Sequence, residues 1–344
     1  MTTIGAAIIG CGAIAPLHAK ALASVEGARL LAAADIDGGQ AEAFGNLYGC
    51  GVVQNYRELL ERADIDVVHL CTPHYLHAQM AIDFLKAGKH VLTEKPLAID
   101  VPSAQRMLET AEHSKGQLGV VFQNRYNEPS MQIRQIIDAA TLGPLLCMKG
   151  VVTWHRSEQY YSDSAWRGKW STEGGGVLIN QTIHTLDLLQ WFGGEIAAVS
   201  GSVSTDVLDG VIEVEDSAHA CITFTNKVRG LFYGTNAYSV NSPVELELVF
   251  EQGTLLLRRD CLYLWKDGHE QLLCEPDTAI TGGKSYWGLG HQRLIQDFYA
   301  HIREGREFWL NGREGIIALE IIADIYSASR NQRVSSGVHG PHSN

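Results

Sequence analysis

Short apolar runs alternate with segments of helical periodicity through the first third of the chain. The apolar runs cover residues 4–9, 28–34, 67–71, 90–93 and 118–122, and the helical segments cover residues 13–24, 39–48, 76–87 and 104–111. Strands that alternate with helices in this way form a parallel sheet, because each helix carries the chain back to start the next strand. The pattern predicts an α/β fold with a doubly wound parallel sheet and helices on both faces.

The character of the sequence changes after about residue 125. Runs with partial alternation of apolar and polar residues follow at residues 145–154, 199–207, 218–225, 228–238, 244–250 and 255–257. Helical patterns interrupt them at residues 131–140, 177–192, 292–303 and 316–327. Strands separated by turns favour a mostly antiparallel sheet in a C-terminal α+β domain. The 344 residues also favour two domains, which we place at residues 1–124 and 125–344.

Composition excludes several classes of protein. Lysine plus arginine (27) minus aspartate plus glutamate (39) gives a net charge of −12, which argues against a nucleic-acid partner. The apolar runs are too short to span a membrane, and the N-terminal residues do not resemble a signal peptide, so we expect a cytoplasmic protein. The seven cysteines and fourteen histidines lack the spacings typical of metal sites, and we predict no metal.

A glycine-rich turn follows the first apolar run. Gly10-Cys11-Gly12-Ala13-Ile14-Ala15 has the spacing G-x-G-x-x-A between a strand and a helix. Glycines at such a turn let a pyrophosphate approach the N-terminus of the helix. The position of the turn favours dinucleotide binding over a simple loop cap.

Asp35 directly follows the second apolar run and lies 25 residues after Gly10. A carboxylate at this place accepts hydrogen bonds from the ribose hydroxyls and repels a 2′-phosphate. The following Ile36-Asp37 supplies no arginine that would hold such a phosphate. We therefore predict NAD as the cofactor rather than NADP.

Two further polar blocks follow apolar runs of the predicted parallel sheet. Thr72-Pro73 comes after residues 67–71, and Glu94-Lys95-Pro96 follows the run at 90–93. The carboxyl ends of parallel strands form the edge where open α/β proteins bind ligands. The ammonium of Lys95 can stabilise negative charge on a carbinol or carbonyl oxygen there, although a surface lysine after a strand is the alternative.

Polar residues also occur in an otherwise apolar helical pattern of the second half. Asn180, His184 and Asp187 fall at i, i+4 and i+7, so a continuous helix would place all three on one face. A histidine there is either a general base or a buried residue whose hydrogen bonds are satisfied by its neighbours. The preceding segment, residues 154–170, is rich in aromatic and polar side chains and is long enough to suggest ligand binding.

These motifs, taken in order, closely resemble the Gfo/Idh/MocA family of glucose-fructose oxidoreductase and inositol dehydrogenase. The resemblance rests on the Gly10 turn, Thr72-Pro73-x-x-x-His77, Glu94-Lys95-Pro96, and Gly174-Gly175-Gly176 followed by His184. It implies an N-terminal Rossmann domain that binds NAD and a C-terminal domain whose large, open-faced sheet forms a homodimer or homotetramer. It also implies a cis bond between Lys95 and Pro96.

The resemblance assigns roles to individual residues. Catalysis would involve Lys95, His184 and Asn180. Cofactor binding would involve Gly10, Gly12, Ala13, Ile14, Asp35, Ile36, Thr72, Pro73, His74, His77, Glu94, Lys95, Gln123 and Arg125. Substrate binding would involve Lys95, Arg125, His155, Trp166, Arg167, Asn180, His184, Tyr286 and His291.

The sequence departs from the family pattern at two positions. Many members carry an aspartate four residues before the histidine, and this chain has Asn180, which cannot ionise. His74 stands where asparagine is common after Thr-Pro.

We expect an NAD-dependent dehydrogenase that acts on a secondary alcohol of a sugar, sugar derivative or cyclitol. The expected binding partner is this small-molecule substrate. A glycosidase that uses NAD in a redox cycle and a non-catalytic dinucleotide-binding regulator are the alternatives.

Overall fold

The computed structural model describes residues 3–275 and 289–335. The described residues fall into two compact units. The first lies within Met1–Tyr126 and Thr278–Ile316, and the second lies within Asn127–Asp277 and Ile317–Asn344.

A six-stranded parallel sheet forms the centre of the first unit. Its strands are β1 (Ile4–Ile9), β2 (Ala28–Ala34), β3 (Gly51–Val53), β4 (Val67–Leu70), β5 (His90–Glu94) and β6 (Leu118–Val121). They are ordered β3-β2-β1-β4-β5-β6, so the direction of strand addition reverses between β1 and β4. Every residue of β1, β4 and β6 is buried, as expected of parallel strands covered on both faces.

Helices connect these strands, and local signals in the sequence fix their ends. They are α1 (Ala15–Ala23), α2 (Gly38–Tyr48), α3 (His74–Lys86) and α4 (Val101–Glu112), with 3-10 turns at Tyr56–Leu59 and Gln123–Tyr126. The Asp37 side chain accepts from two amides at the start of α2, and Asp100 accepts from Ser103 N at 2.7 Å at the start of α4. Gly49 ends α2 in the left-handed conformation.

A helix from late in the chain also belongs to this unit. Helix α9 (Gly290–Glu304) packs against α1 and against the turn Gln123–Tyr126. Phe298 of this helix lies so close to Gly119 that a Cβ atom at Gly119 would be 2.9 Å from its ring. The first unit therefore differs from our division at residues 124 and 125, because the described residues 289–316 belong to it.

The second unit is built on an eight-stranded sheet. Its strands are β7 (Leu145–Thr153), β8 (Ile196–Ser204), β9 (Ser217–Phe224), β10 (Arg229–Thr235), β11 (Glu245–Phe250), β12 (Gly253–Arg258), β13 (Cys261–Lys266) and β14 (His269–Cys274). The order is β14-β13-β12-β11-β7-β10-β9-β8, and every adjacent pair is antiparallel except β7 and β10. The mostly antiparallel open sheet predicted from the sequence is confirmed.

The second unit also contains helices. They are α5 (Glu128–Asp138), α6 (Glu158–Ser162), α7 (Val177–Asn180), α8 (Ile183–Gly193) and most of α10 (Gly312–Ser335). Helix α8 packs on β7 and β10, where Gly150 makes room for side chains of α8. Burial alternates along β10, so Phe232 lies in the core while Leu231 and Tyr233 are exposed on the opposite face.

One sequence expectation for this unit was wrong, and one pair of strands was not predicted. The continuous helix predicted over residues 177–192 is two helices, because Thr182 Oγ1 donates to the carbonyl oxygens of Val177 (2.9 Å) and Leu178 (3.3 Å) at the break. The hairpin of β13 and β14 was not predicted, although its turn, Asp267-Gly268, has positive φ at both residues.

Among residues 3–275 and 289–335, no helix combines the length and the apolar character needed to cross a bilayer.

Candidate active site

The carboxyl edge of the first sheet carries the glycine turn. Gly10 follows β1 with φ +89°, and a Cβ atom on it would lie 2.7 Å from the carbonyl oxygen of Cys71. Gly12 is different, since a Cβ atom there would have no neighbour within 4 Å. Gly10 is therefore needed to form the turn, while Gly12 keeps the space above the turn open.

The same turn also provides backbone N–H groups. Within the described chain, the N–H groups of Gly12, Ala13 and Ile14 donate to no protein acceptor, and they precede α1. Unsatisfied N–H groups at the start of a helix bind anions such as a pyrophosphate. The turn thus fits the phosphates of a dinucleotide.

Asp35 lies on the same edge, directly after β2. Its carboxylate accepts from Cys11 N at 2.7 Å and from Asp37 N at 2.9 Å, so it joins the glycine turn to the start of the next loop. Burial raises the pKa of the Cys11 thiol to about 12, and the charge of Asp35 adds to the shift. The Ile36 side chain is 92% exposed beside it. Asp35 gives this end of the edge a negative charge next to the turn.

His77 ties two loops of the edge together. Its Nδ1 lies 2.8 Å from the carbonyl oxygen of Pro96, and its Nε2 lies 2.8 Å from that of Thr72. Burial lowers the pKa of His77, although both carbonyls oppose the shift. His77 and His74 are both buried near the start of α3. The two contacts of His77 connect the loops after β4 and β5.

Lys95 follows β5 and is half-buried. The Lys95–Pro96 peptide bond is cis, as the family resemblance implied. The backbone N of Lys95 donates to Oε2 of Glu94 at 3.3 Å, and the Lys95 charge is one of the influences on the pKa of His77 and His291. The ammonium therefore belongs to the same edge as the loops after β4 and β5.

Beneath Lys95 runs a buried chain of hydrogen bonds. Glu94 Oε1 lies 2.9 Å from His18 Nε2 and 3.4 Å from His291 Nε2. His18 Nδ1 lies 2.9 Å from His69 Nδ1, and His69 Nε2 lies 2.9 Å from the hydroxyl of Tyr299. One set of tautomers satisfies the chain with neutral rings: Tyr299 donates to His69, His69 to His18, and His18 to the carboxylate.

The charges in this chain are set by burial and by hydrogen bonding. Burial alone would raise the pKa of Glu94, but hydrogen bonds from His18 and His291 hold it well below its usual range. Burial lowers the pKa of His69 well below its usual value, and it also lowers that of His291. One ring nitrogen of His18, one ring nitrogen of His291 and a carboxylate oxygen of Glu94 lie within 4.8 Å of one another. Hydrogen bonds from the two histidines to the carboxylate account for this spacing.

Sequence reasoning missed part of this chain. His18, His69 and Tyr299 were not predicted as site residues, although a histidine inside the apolar run of β4 was a signal of a buried polar contact. His291, expected on the substrate side, is 2% exposed and contacts Glu94. Glu94, expected at the cofactor, is buried with its carboxylate bonded to the two histidines.

Arg125 also lies in the first unit and is fully buried. Its Nη1 donates to Glu314 Oε2 at 2.7 Å, and its guanidinium carbon lies 5.7 Å from the centre of the Trp309 ring. Gln123, two residues earlier, is buried as well. The structure thus shows Arg125 in an ion pair within the unit, and its expected contact with cofactor or substrate remains a prediction.

The second unit carries Asn180 and His184. Asn180 is the last residue of α7, His184 is the second residue of α8, and both are half-buried, whereas Asp187 is fully buried. The Asn180 Nδ2 group donates to Oε1 of Glu173, and Oε2 of Glu173 accepts from Gly168 N at 2.5 Å. Glu173 was not predicted as a site residue, although it directly precedes the three glycines.

Two buried carboxylates have raised pKa values in this region. Burial raises the pKa of Glu173 to about 7 and that of Glu215 to about 7. Glu215 accepts from Gly176 N, from Leu178 N at 3.0 Å and from the Tyr326 hydroxyl at 2.9 Å. It therefore holds the start of α7, while Glu173 holds its end.

Aromatic rings and arginines surround this helix end. The Arg167 guanidinium carbon lies 4.4 Å from the Tyr160 ring centre and 5.0 Å from that of Trp166. Arg156 lies over Trp154 and Tyr160 and donates to Asn241 Oδ1 at 2.9 Å. His155 is exposed, with Nδ1 2.9 Å from the Tyr238 carbonyl oxygen. Stacking holds the guanidinium groups in fixed positions without using all their N–H donors.

A second polar network joins the helix break to the sheet. Gln181 Nε2 donates to the Tyr160 hydroxyl at 3.3 Å, and Asn236 Nδ2 donates to Gln181 Oε1 at 2.9 Å and to the Tyr161 hydroxyl at 3.0 Å. The structure thus brings together Trp166, Arg167 and Asn180 of the predicted substrate residues. Tyr286 lies outside the described residues.

Comparison with known proteins identifies the family. The profile of the Gfo/Idh/MocA oxidoreductase family, described as an NAD-binding Rossmann fold, matches residues 4–122, and its C-terminal domain profile matches residues 130–256. This chain belongs to the Gfo/Idh/MocA family. Its first unit is the NAD-binding Rossmann fold of that family, and NAD is its cofactor.

Relatives with named activities match part of the chain. An inositol 2-dehydrogenase of Rhizobium meliloti is 32% identical over 193 residues, which are 56% of this chain and 56% of that protein. A levoglucosan dehydrogenase of Pseudarthrobacter phenanthrenivorans is 27% identical over 231 residues, 60% of this chain and 59% of its own length. The matched regions thus span little more than half of these relatives.

A solved structure matches over nearly the whole chain. The WlbA dehydrogenase of Bordetella pertussis, in complex with NADH and UDP-GlcNAcA, has a TM-score of 0.84 and 27% sequence identity. The alignment covers 96% of this chain and 97% of that one.

Proposed function

We propose that this Gfo/Idh/MocA protein is an NAD-dependent dehydrogenase that oxidises or forms a secondary alcohol of a sugar, sugar derivative or cyclitol. The observation that carries the proposal is Lys95, whose ammonium lies on the same sheet edge as the glycine turn and Asp35. The relatives named above act as inositol and levoglucosan dehydrogenases, which supports a polyhydroxylated substrate.

The proposed chemistry uses a small set of side chains. Bound NAD supplies the hydride acceptor. In the oxidation direction, the Lys95 ammonium stabilises the negative charge that develops on the carbinol oxygen. We assign His184 as the base that removes the hydroxyl proton, and Asn180 and Arg167 as the groups that hold neighbouring hydroxyls.

The cofactor preference follows from the first unit. Asp35 accepts hydrogen bonds through both carboxylate oxygens and carries a negative charge beside the glycine turn. A ribose 2′-hydroxyl can donate to such a carboxylate, whereas a 2′-phosphate is repelled by it. We therefore propose NAD, and not NADP, as the cofactor used in turnover.

The experiment that tests this proposal replaces lysine by methionine at two positions. Purified Lys95→Met and Lys86→Met variants are compared with wild type for turnover of myo-inositol, levoglucosan, D-glucose and UDP-GlcNAcA and for NADH binding. Lys86 is an exposed lysine at the end of α3 and serves as the matched control. We expect Lys95→Met to lose at least 100-fold in kcat with NADH binding retained, since it removes charge stabilisation in the transition state.

Other outcomes would contradict the proposal. Wild-type turnover in Lys95→Met would remove Lys95 from the mechanism. Cleavage of a glycosidic bond without net formation of NADH would replace the dehydrogenase by a redox-cycling glycosidase.

We also propose that the second unit forms a homodimer or homotetramer through its sheet. The face of β10 opposite α8 exposes Leu231 (57%) and Tyr233 (43%). Neighbouring exposed apolar side chains on a sheet face are typical of an interface between subunits. Sedimentation equilibrium of wild type and Leu231→Asp tests this, and a monomeric wild type would refute it.

A further inference from the structure

Asn180 is the last residue of α7 and is half-buried. The structure places a buried carboxylate next to it. Glu173 is 1% exposed, and its Oε1 accepts from the Asn180 amide nitrogen. The uncharged Asn180 amide is therefore in direct contact with a carboxylate.

The contacts of Glu173 determine which way the Asn180 amide faces. Oε2 accepts from Gly168 N at 2.5 Å, and Oε1 accepts from Asn180 Nδ2. With Nδ2 turned toward Glu173, the carbonyl oxygen of the planar amide faces away from Glu173. A carboxylate has no donor, so the reversed amide would set two acceptors against each other and leave Glu173 without this hydrogen bond.

We propose that Glu173 is a positioning residue that fixes the Asn180 amide with its oxygen as the acceptor for a substrate hydroxyl. The inference rests on the proposed dehydrogenase function and deepens it. The pair of Glu173 and Asn180 then presents an acceptor oxygen, as an aspartate at position 180 would. The substrate group recognised is a hydroxyl that donates a hydrogen bond to this oxygen. Sugars and cyclitols carry such hydroxyls.

The charges around Glu173 are consistent with this role at pH 8. Burial raises its pKa to about 7, opposed by Arg167 and increased by the negative charge of Glu215. Its charge also contributes to the raised pKa values of Tyr161 and Tyr326. At pH 8 Glu173 is mostly ionised and acts as an acceptor through both oxygens.

The test exchanges donors and acceptors between the two positions. In Glu173→Gln, the Gln oxygen still accepts from Gly168 N, so the Gln amide nitrogen faces Asn180 and reverses its amide. In Glu173→Gln with Asn180→Asp, the Gln amide donates to the new carboxylate, which again offers an oxygen to the substrate. The double variant therefore restores what the single variant loses.

Activity is measured at pH 8 with NAD and whichever of myo-inositol, levoglucosan and UDP-GlcNAcA gives the highest wild-type rate. We expect Glu173→Gln to lower kcat/KM at least 10-fold and the double variant to return to within about 3-fold of wild type. The matched control is Glu213→Gln, an exposed carboxylate that accepts from Trp170 N and not from Asn180, and it should keep the wild-type kcat/KM. Wild-type kcat/KM in Glu173→Gln, or no rescue in the double variant, would overturn the proposal.

Thermal unfolding tests the geometry without turnover. Asn180→Asp in the wild-type background sets two carboxylates against each other at pH 8, and we expect it to lower Tm by about 4 °C or more. In the Glu173→Gln background the same substitution should cost less than half as much. Equal costs in both backgrounds would overturn the inference. A wild type that turns over no substrate refutes the proposed dehydrogenase function, and the unfolding result still decides how Asn180 is held.

Discussion

Replacing Gly10 by alanine should destabilise the first unit. The glycine has φ +89°, where an alanine is strained, and its new Cβ atom would lie 2.7 Å from the oxygen and 2.9 Å from the carbon of the Cys71 carbonyl. The conformational strain costs about 1–3 kcal/mol, and the clash with backbone adds about 1–3 kcal/mol, because neither group is the end of a flexible side chain. We expect the free energy of unfolding to fall by about 2–6 kcal/mol in urea denaturation followed by circular dichroism.

Gly12 provides the matched control for this prediction. A Cβ atom at Gly12 meets nothing within 4 Å, so Gly12→Ala should change stability by less than about 0.5 kcal/mol. The methyl group would instead occupy the space into which the pyrophosphate must come, and we expect the NADH dissociation constant to rise at least 10-fold, about 1.4 kcal/mol. Equal stability of Gly10→Ala and Gly12→Ala would refute the reasoning, as would unchanged NADH binding by Gly12→Ala.

Three further predictions follow from other contacts. Asp35→Ser removes the charge that repels a 2′-phosphate, so the ratio of NADPH to NADH affinity should rise at least 10-fold in fluorescence titrations; an unchanged ratio would contradict the role of Asp35. Tyr299→Phe leaves the buried Nε2 of His69 without its hydroxyl partner and should cost about 1–3 kcal/mol in urea denaturation, whereas no loss would show that the contact does not contribute. The pKa of Glu215 is raised to about 7 in the folded state. The folded protein therefore binds more protons than the unfolded chain between about pH 4.5 and 7. The contribution of Glu215 to the free energy of unfolding falls as the pH rises through this range. Glu215→Gln should therefore gain stability relative to wild type between pH 5 and pH 8, by up to about 3 kcal/mol, and a difference independent of pH would contradict the assignment.

The sequence predicted most of the first sheet because its strands are continuous apolar runs. β1 and β2 have the predicted bounds, residues 4–9 and 28–34. Every residue of β1 and the last three residues of β2 are buried, and turn residues follow both strands. The glycine turn and Asp35 were predictable as well, because each depends on residues close in sequence to a strand end. Features that depend on residues close together in the sequence can therefore be predicted from it.

Contacts between distant residues could not be predicted in this way. His18 and His69 are 51 residues apart, and His69 and Tyr299 are 230 apart, so no local spacing reveals that they meet. The return of α9 to the first unit is of the same kind, since linear order assigned it to the second.

The helix break and the orientation of Asn180 depend on side-chain hydrogen bonds. Thr182 interrupts the helix through its hydroxyl, and Glu173 turns the Asn180 amide through its carboxylate. The apolar periodicity continues across the break, so the sequence pattern does not indicate that the helix is interrupted. The sequence therefore located Asn180 and His184 as candidate residues but not the carboxylate that acts on Asn180.

The most direct test of the central claim is absorbance at 340 nm with purified protein, NAD or NADP, and a panel of inositols, free sugars, sugar phosphates and nucleotide sugars, with and without added cofactor. We predict NADH formation with one class of substrate, with NAD and not with NADP. Absence of any absorbance change across the panel, with NADH still bound by the protein, would contradict a dehydrogenase and favour a redox-cycling glycosidase or a dinucleotide-binding regulator.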